Sequence, residues 1–450
     1  HGPPRFHRNN RWGNFGSVGA NWIISEEAFM KDVRWVNDLK LRANYGQVGN
    51  DAGAGFYGYM SLYGVEQNAH KGALYLTQND SYDLKWETGG AWGVAVEARL
   101  FNRWNLSVEY FDKRNKDLLF DIYLPLSAGG TSSGAAEATV TRNLGTISNR
   151  GIEVNTDIDV FRNRNWTFNI AANATYLKNK IVKLPDQNKD GIISGVYKVV
   201  EGRSRYEFYT YTFEGVDQLT GNSLYKANLD DYFVTLPDGT TLGNKQSGID
   251  ITKKATVIGG VPYVTNTTYG QREFHGSALP TVYGSLTGTI GYKSFTLSAL
   301  FTYSLGGKTM DGVYQSLMST GPSPGNYHAD IMQSWMQAPA GMDENSPNRI
   351  KKDGIPQINS TLSSDNNAVS SRWLTSADYL VVKNLTLAYR LPQAWVEHMG
   401  LQSVGLNVSC ENLWTFAARQ GMNPQQSFAG GQGNYLVTPR IFSVGVSVKL

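Results

Sequence analysis

Cysteine is almost absent. Cys410 is the single one in 450 residues, which excludes an intrachain disulfide and any Cys-based metal site. Charge is also sparse: charged residues make up 18% of the chain, against about 25% in typical soluble domains. The 41 basic and 38 acidic side chains nearly cancel, leaving +3. So small a balance gives no field for nucleic acid or anionic lipid. No stretch approaches the roughly 18 consecutive apolar residues that a transmembrane helix needs. The chain opens at His1 without a signal peptide, and its first residues already read as the middle of a structured protein. The missing leader therefore says nothing about location. His1, His7, His70, His275, His328 and His398 are scattered with no metal-ligand spacing, so no metal site is expected.

Glycine (48) and tyrosine (25) are abundant, and aromatics reach 12%. A Gly- and Tyr-rich, charge-poor chain reads as all-β. A strong period of two recurs almost end to end. Leu106, Val108 and Tyr110 alternate with Asn105, Ser107 and Glu109. Ile152, Val154, Ile158 and Val160 oppose Glu153, Asn155, Asp157 and Asp159. The same pattern runs through 166–176 and 294–304, and ends with Phe442, Val444, Val446, Val448 and Leu450 set against Ser443, Gly445, Ser447 and Lys449. Runs of about 9–11 residues suit a tilted strand crossing a bilayer, whereas water-soluble strands usually stop at about 5–6. One face is apolar and the other carries carboxylates, amides and hydroxyls, as expected with lipid outside and water inside. Connections alternate in length: Asn102-Arg103 and Arg162-Asn163-Arg164-Asn165 are short, while 124–143, 186–197, 225–277 and 306–376 are long. That alternation fits an outer-membrane barrel, with its long loops outside the cell. Soluble β-sandwiches would not need such long strands or a polar inward face.

Several motifs look chemical. Gly53-Ala54-Gly55-Phe56-Tyr57-Gly58 matches G-x-G-x-x-G, but no helical period follows it to meet a pyrophosphate. Gly130-Thr131-Ser132-Ser133-Gly134 matches the nucleophile elbow, yet lies in a Gly-, Ser- and Ala-rich loop rather than between strand and helix. Asp186-Gln187-Asn188-Lys189-Asp190-Gly191 begins like a calcium loop, but its twelfth position is Tyr197 instead of the bidentate Glu. An Asx- and Gly-rich turn is the expectation there. Tyr57, Tyr59, Tyr63, Trp335 and Trp373 are candidate stacking platforms for a ligand. An interfacial girdle competes for such aromatics. No catalytic residue and no cofactor is expected.

Further segments carry a resemblance. These are Trp22-Ile23-Ile24-Ser25-Glu26-Glu27, Leu39-Lys40-Leu41-Arg42-Ala43-Asn44-Tyr45-Gly46, Asp83-Leu84-Lys85-Trp86-Glu87-Thr88 and Ser148-Asn149-Arg150-Gly151-Ile152-Glu153. Glu201-Gly202-Arg203-Ser204 runs into Phe213-Glu214-Gly215-Val216-Asp217, followed by Ser376-Ala377-Asp378-Tyr379-Leu380, Lys383-Asn384-Leu385-Thr386-Leu387 and Glu411-Asn412-Leu413-Trp414-Thr415-Phe416. In this order they resemble the SusC/RagA family of TonB-dependent transporters over nearly the whole chain. The resemblance implies a transmembrane antiparallel β-barrel, with residues 1–450 the C-terminal portion of a 22-stranded wall. The plug, TonB box and signal peptide would then be absent from this chain. It further implies the outer membrane of a Gram-negative bacterium and import of an oligosaccharide or oligopeptide. A SusD-like surface lipoprotein would dock on the long loops, and a TonB complex would act through the missing part. Phe442, Val444, Val446, Val448 and Leu450 would form the C-terminal assembly strand, with Leu450 standing where such proteins commonly end in Phe. The competing readings are a passive porin or surface adhesin barrel, and a secreted glycan hydrolase. The hydrolase would need a paired-carboxylate cleft that no spacing suggests.

Overall fold

Alternating apolar and polar residues can satisfy two environments only on an extended chain, where successive side chains point to opposite faces. The computed structural model describes residues 5–68, 71–123, 139–246, 248–319, 325–426, 430–432 and 438–450. Among these, eleven strands form one sheet: β1 Ser17–Ile23, β2 Val36–Asn50, β3 Glu87–Leu100, β4 Trp104–Lys116, β5 Thr146–Arg162 and β6 Trp166–Lys183, then β7 Val282–Tyr292, β8 Phe295–Leu305, β9 Tyr379–Arg390, β10 Ser403–Ala417 and β11 Ile441–Lys449. Each strand pairs antiparallel with the next in sequence, so the wall is an uninterrupted meander.

Register places the alternation as the sequence predicts. Val108 lies beside Val96 and Val154, and Val154 beside Ala174, which continues the same face to Leu286 through Ala172. At the last strand, Val444 pairs with Val408 and Val446 with Leu406, while Gly445 pairs with Asn407. The outward face is apolar and unusually bare, with Val444 79% and Val446 65% exposed. Leu450 lies beyond the last strand residue, Lys449.

Strand length departs from expectation. β5 and β6 run to 17 and 18 residues rather than 9–11. At roughly 3.3 Å per residue they outreach a hydrocarbon core of about 30 Å even when tilted, so their long-loop ends stand clear of it. Aromatic pairs mark the opposite interface, at the short-turn ends: Trp166 with Tyr292 at 4.4 Å, Phe295 with Tyr389 at 4.5 Å, Trp35 with Phe101 at 5.7 Å and Phe161 with Phe168 at 5.9 Å. This is one rim of a girdle.

The long connections are the second departure. The stretches 225–277 and 306–376, expected as loops, contain short strands that build small sheets of their own. One five-stranded sheet takes Phe213–Asp217, Ser223–Lys226, Ala255–Ile258 and Val261–Val264 from the connection after β6, and Ile350–Lys351 from the connection after β8. Two apolar cores hold this cap together, one around Phe208, Met310 and Trp373, the other around Tyr225, Val234 and Val264.

The wall makes a direct prediction. Val446→Arg should destabilise the full-length barrel by about 2–4 kcal/mol if it sits near the midplane, and Ser447→Arg should be tolerated. Urea titration of the barrel folded in lipid vesicles reads both, and equal losses would contradict the assigned faces.

Candidate functional site

The inward face of β2 to β4 carries ionisable groups at neighbouring register positions. Lys40 Nζ lies 3.2 Å from Glu97, and Arg42 bridges Glu97 at 3.2 Å and Glu109 at 2.8 Å. Further round, Asn169 donates to Asp157 at 3.3 Å and Asp159 at 3.1 Å. A concavity of about 700 Å³ follows this wall, lined by Glu97, Arg99, Asn105, Asp157, Asn173 and Thr287 among others. Such a surface keeps water and polar solutes and offers no nucleophile–base pair within reach of a common point. Among the described residues no group of three or more His, Cys, Asp or Glu could hold a metal ion.

Within the cap a buried ion pair joins the connection after β6 to the connection after β8. Arg349 Nε donates to Asp217 Oδ1 at 2.9 Å and Arg349 Nη2 to Asp217 Oδ2 at 3.0 Å, with both side chains nearly inaccessible. Burial pushes the Asp217 carboxyl up, but the Arg349 guanidinium, the Leu219 N–H and the Thr220 hydroxyl outweigh it and hold the group below its usual range. Neighbouring contacts join the same two connections: Ser223 N–H donates to Asn366 at 2.9 Å and Tyr225 O–H to the Asp365 carbonyl at 2.7 Å. Burial lowers the Arg372 guanidinium to about 10, with its plane 4.4 Å from the Trp373 ring centre.

The five sequence-predicted platforms fall in separate places. Tyr57 and Tyr63 are exposed on the connection after β2. Tyr59 is half-buried against His7 and Tyr82. Trp335 is pinned across Gly221, whose φ of +73° and lack of Cβ admit the ring, and its Nε1 donates to the Gln218 carbonyl at 3.0 Å. Trp373 is 2% exposed and its Nε1 donates to the Ala368 carbonyl, so it is a core residue of the cap. Sequence reasoning leaves these aromatics between ligand platforms and a girdle or packing role. The cap buries Trp373 because it folds on itself.

The motif segments prove structural where they can be traced. Leu84 is buried beside Phe6 and Ala54, Trp86 Nε1 donates to the Arg11 carbonyl at 3.2 Å, and Glu87 accepts the Leu119 N–H at 2.8 Å. Ser148 Oγ donates to Asp112, and Glu201 accepts the Leu184 N–H. Asp217 is the last residue of the Phe213–Asp217 segment, so its position was flagged, but nothing local points to an arginine 132 residues away. Residues 53–58 form turns with no helix after them, and 130–134 lie outside the described residues. At 186–191 a single 3₁₀ turn is closed by Lys189 on Asp186 at 3.2 Å, with Asp186 open to solvent.

Residues 2–198 match the family model described as TonB dependent receptor-like, beta-barrel. The chain is 27% identical to TonB-dependent receptor P3 of Formosa agariphila over 95% of its own length and 40% of the relative's, and 24% identical to TonB-dependent receptor SusC of Bacteroides thetaiotaomicron over 100% and 41%. It thus spans about two fifths of the curated relatives it matches. The solved structure of the RagAB peptide transporter superposes with a TM-score of 0.74 at 21% identity, covering 99% of this chain and 44% of that one. The fold and wall are those of a transmembrane β-barrel portion, and the chain is similar to TonB-dependent receptors, which are transporters and not enzymes. Among those proteins the chain is similar to SusC in sequence and to the RagAB transporter in fold.

Two outcomes check this site. Arg349→Ala leaves a buried carboxylate unpaired and should destabilise the cap by about 3–5 kcal/mol, read as faster hydrogen exchange across 213–226. Because the Asp217 carboxyl is held below its usual value in the folded cap, its contribution is fully present above the unfolded carboxylate value and is lost as pH falls through the lowered folded one. The protection of the same segment, measured against the intrinsic exchange rate at each pH, should therefore fall only in acid. At 186–193, calorimetry should find calcium binding weak or absent. A micromolar site removed by Asp190→Ala would overturn that.

Proposed function

We propose that this chain supplies about half of the wall, and the cap, of an outer-membrane importer in a Gram-negative bacterium. The observation that carries the reading is the eleven-stranded meander with an apolar outer face, an ion-paired inner face and a folded cap over its long-loop end. A sheet of this size in lipid must close to satisfy its edges, so the remaining strands, a plug and a TonB box would come from sequence outside residues 1–450. The cargo is an oligosaccharide or oligopeptide, carried without covalent chemistry. In this reading the exposed rings of Tyr57 and Tyr63 can meet it, Tyr59 packs against His7 and Tyr82, and Trp335 and Trp373 hold the cap in shape.

Aromatics of the long loops are largely spent inside the cap: Tyr232 and Tyr269 pack against the core of Tyr225 and Val264, and Tyr314 against that of Trp373. A smaller apolar set remains outside, with Met332 84%, Met336 88% and Ile358 62% exposed. Aromatics and Met are enriched at interfaces, and this set is the proposed dock for a SusD-like lipoprotein.

Uptake in the native host tests the whole reading. Deleting the gene of the full receptor, or that of TonB, should abolish uptake of the same labelled oligosaccharide or oligopeptide, and mild-detergent purification should recover the lipoprotein with the barrel. Uptake that persists without TonB would favour a passive porin.

A further inference from the structure

Where the wall meets the cap there is a second concavity of about 600 Å³, between the upper ends of β6, β7, β8 and β9 and the loop segments above them. Its chemistry differs from that of the ion-paired surface lower on the wall. Leu177, Tyr283 and Tyr379 line it from the strands, and Ala278, Pro280 and Pro424 from above. Among the described residues no Lys, Arg, Asp, Glu or His lines it. Several of the polar groups present are already engaged. Asn173 donates its amide to Ser285 Oγ at 2.6 Å and accepts the Ser285 N–H at 3.0 Å, which uses both ends of the side chain. Ser304 is buried. The Gln425 amide turns back to Asn423.

The roof is built rather than incidental. Gly430 takes a φ of +71°, and a Cβ there would meet Ala278 Cβ at 2.6 Å and the Lys308 carbonyl at 2.8 Å. The Met310 N–H donates to the Gly430 carbonyl at 2.7 Å, and Gly431 and Gln432 pair parallel with Met310 and Asp311. Arg419 ties the same connection down, 3.3 Å from Asp311 and with its guanidinium 3.5 Å from the Tyr314 ring centre. The last long connection is thus stitched onto the cap beside the pocket.

We propose that this pocket is a specificity subsite for an apolar side chain of an oligopeptide, so that the cargo of the importer is peptide rather than glycan. The inference rests on the importer reading above. The lining is mostly apolar, so the several hydroxyls of a sugar placed here would lose more water than the few hydroxyls of Thr302, Tyr283 and Tyr379 replace. An apolar side chain loses nothing polar and gains the buried area. The volume fits one or two large side chains with the backbone running past, and ligand pockets of this kind are mostly apolar with few polar groups. The ion-paired face below would then meet the polar remainder of the peptide.

The test uses the whole receptor, purified from its own membrane, and two independent pocket-filling variants, Thr302→Trp and Ala377→Leu, so that a failure of one to fold does not end it. Heat-modifiable gel mobility reports folding. Affinities are measured by thermophoresis for a leucine- and phenylalanine-bearing pentapeptide, the same pentapeptide with serine in their place, and a linear maltopentaose. The expected result is that unaltered receptor binds the apolar peptide at least tenfold tighter than the serine peptide, and that either folded variant removes that preference while the serine peptide is unaffected. Loss of both peptides equally, no change with either, or maltopentaose binding that the variants abolish would each overturn the subsite. If the gene deletion leaves all uptake intact, the importer reading itself fails. If peptide uptake depends on the receptor but the variants are neutral, only the subsite does.

Discussion

Hydrocarbon gives a peptide group no hydrogen-bond partner, and the wall is organised around that constraint. Every strand must be flanked by another over its whole lipid-facing length, which favours a meander of sequential neighbours with close turns, as between Leu100 and Trp104 or Tyr292 and Phe295. With the backbone satisfied in this way, side chains need not form a core. Of the twelve largest fully buried side chains among the described residues, only Ile181 lies in a wall strand, near its long-loop end. The wall is held by main-chain bonds and by an outer surface that is apolar because lipid is its solvent.

Outside the lipid the rules reverse. The cap stands in water, where unpaired peptide groups can be hydrated and the favourable term is burial of apolar surface. Phe208, Leu224, Tyr225, Val234 and Trp373 are fully or almost fully covered there, as in a small soluble domain. The Asp217–Arg349 pair is tolerated at such depth because both carboxylate oxygens are met by one guanidinium and further donors come from Leu219 and Thr220. Removing one partner is far more costly than never having had the pair.

The contrast explains what could be read from the sequence. Period-two runs such as 151–160 and 441–449 are local signals, and each lies in a wall strand with its apolar residues on one face. Their ends were less legible, because alternation continues past the bilayer where nothing in the pattern marks the exit of β5 and β6 from lipid. The cap was not legible at all. Its defining contacts join Val216 to Lys351 and Ser223 to Asn366, pairs separated by well over a hundred residues and by two wall strands. Trp373 and Tyr63 look alike in sequence, as aromatics in long connections, yet one is a core residue and the other is exposed. Only the long-range pairing separates them.

One extra residue links the two regimes. Leu300 pairs with Asn384 but Phe301 pairs with Val382, so Lys383 is a bulge in β9 relative to β8. Below it Leu385, Leu387 and Tyr389 share the outward face with Ala299, Leu297 and Phe295. Without the bulge the same parity would send Tyr379 and Val381 outward. With it, Leu380 and Val382 take the outward positions beside Tyr303 and Phe301, and Tyr379 turns to the inner face beside Ser304. β10 answers at the same level, where Asn412 takes a φ of +51° and accepts the Lys383 ammonium at 2.8 Å. Two of the family-like segments, Lys383-Asn384-Leu385 and Glu411-Asn412-Leu413, therefore meet at one irregularity. Its effect is to place a tyrosine inside the mouth, directly beneath the cap, where a regular strand would have offered it to the membrane.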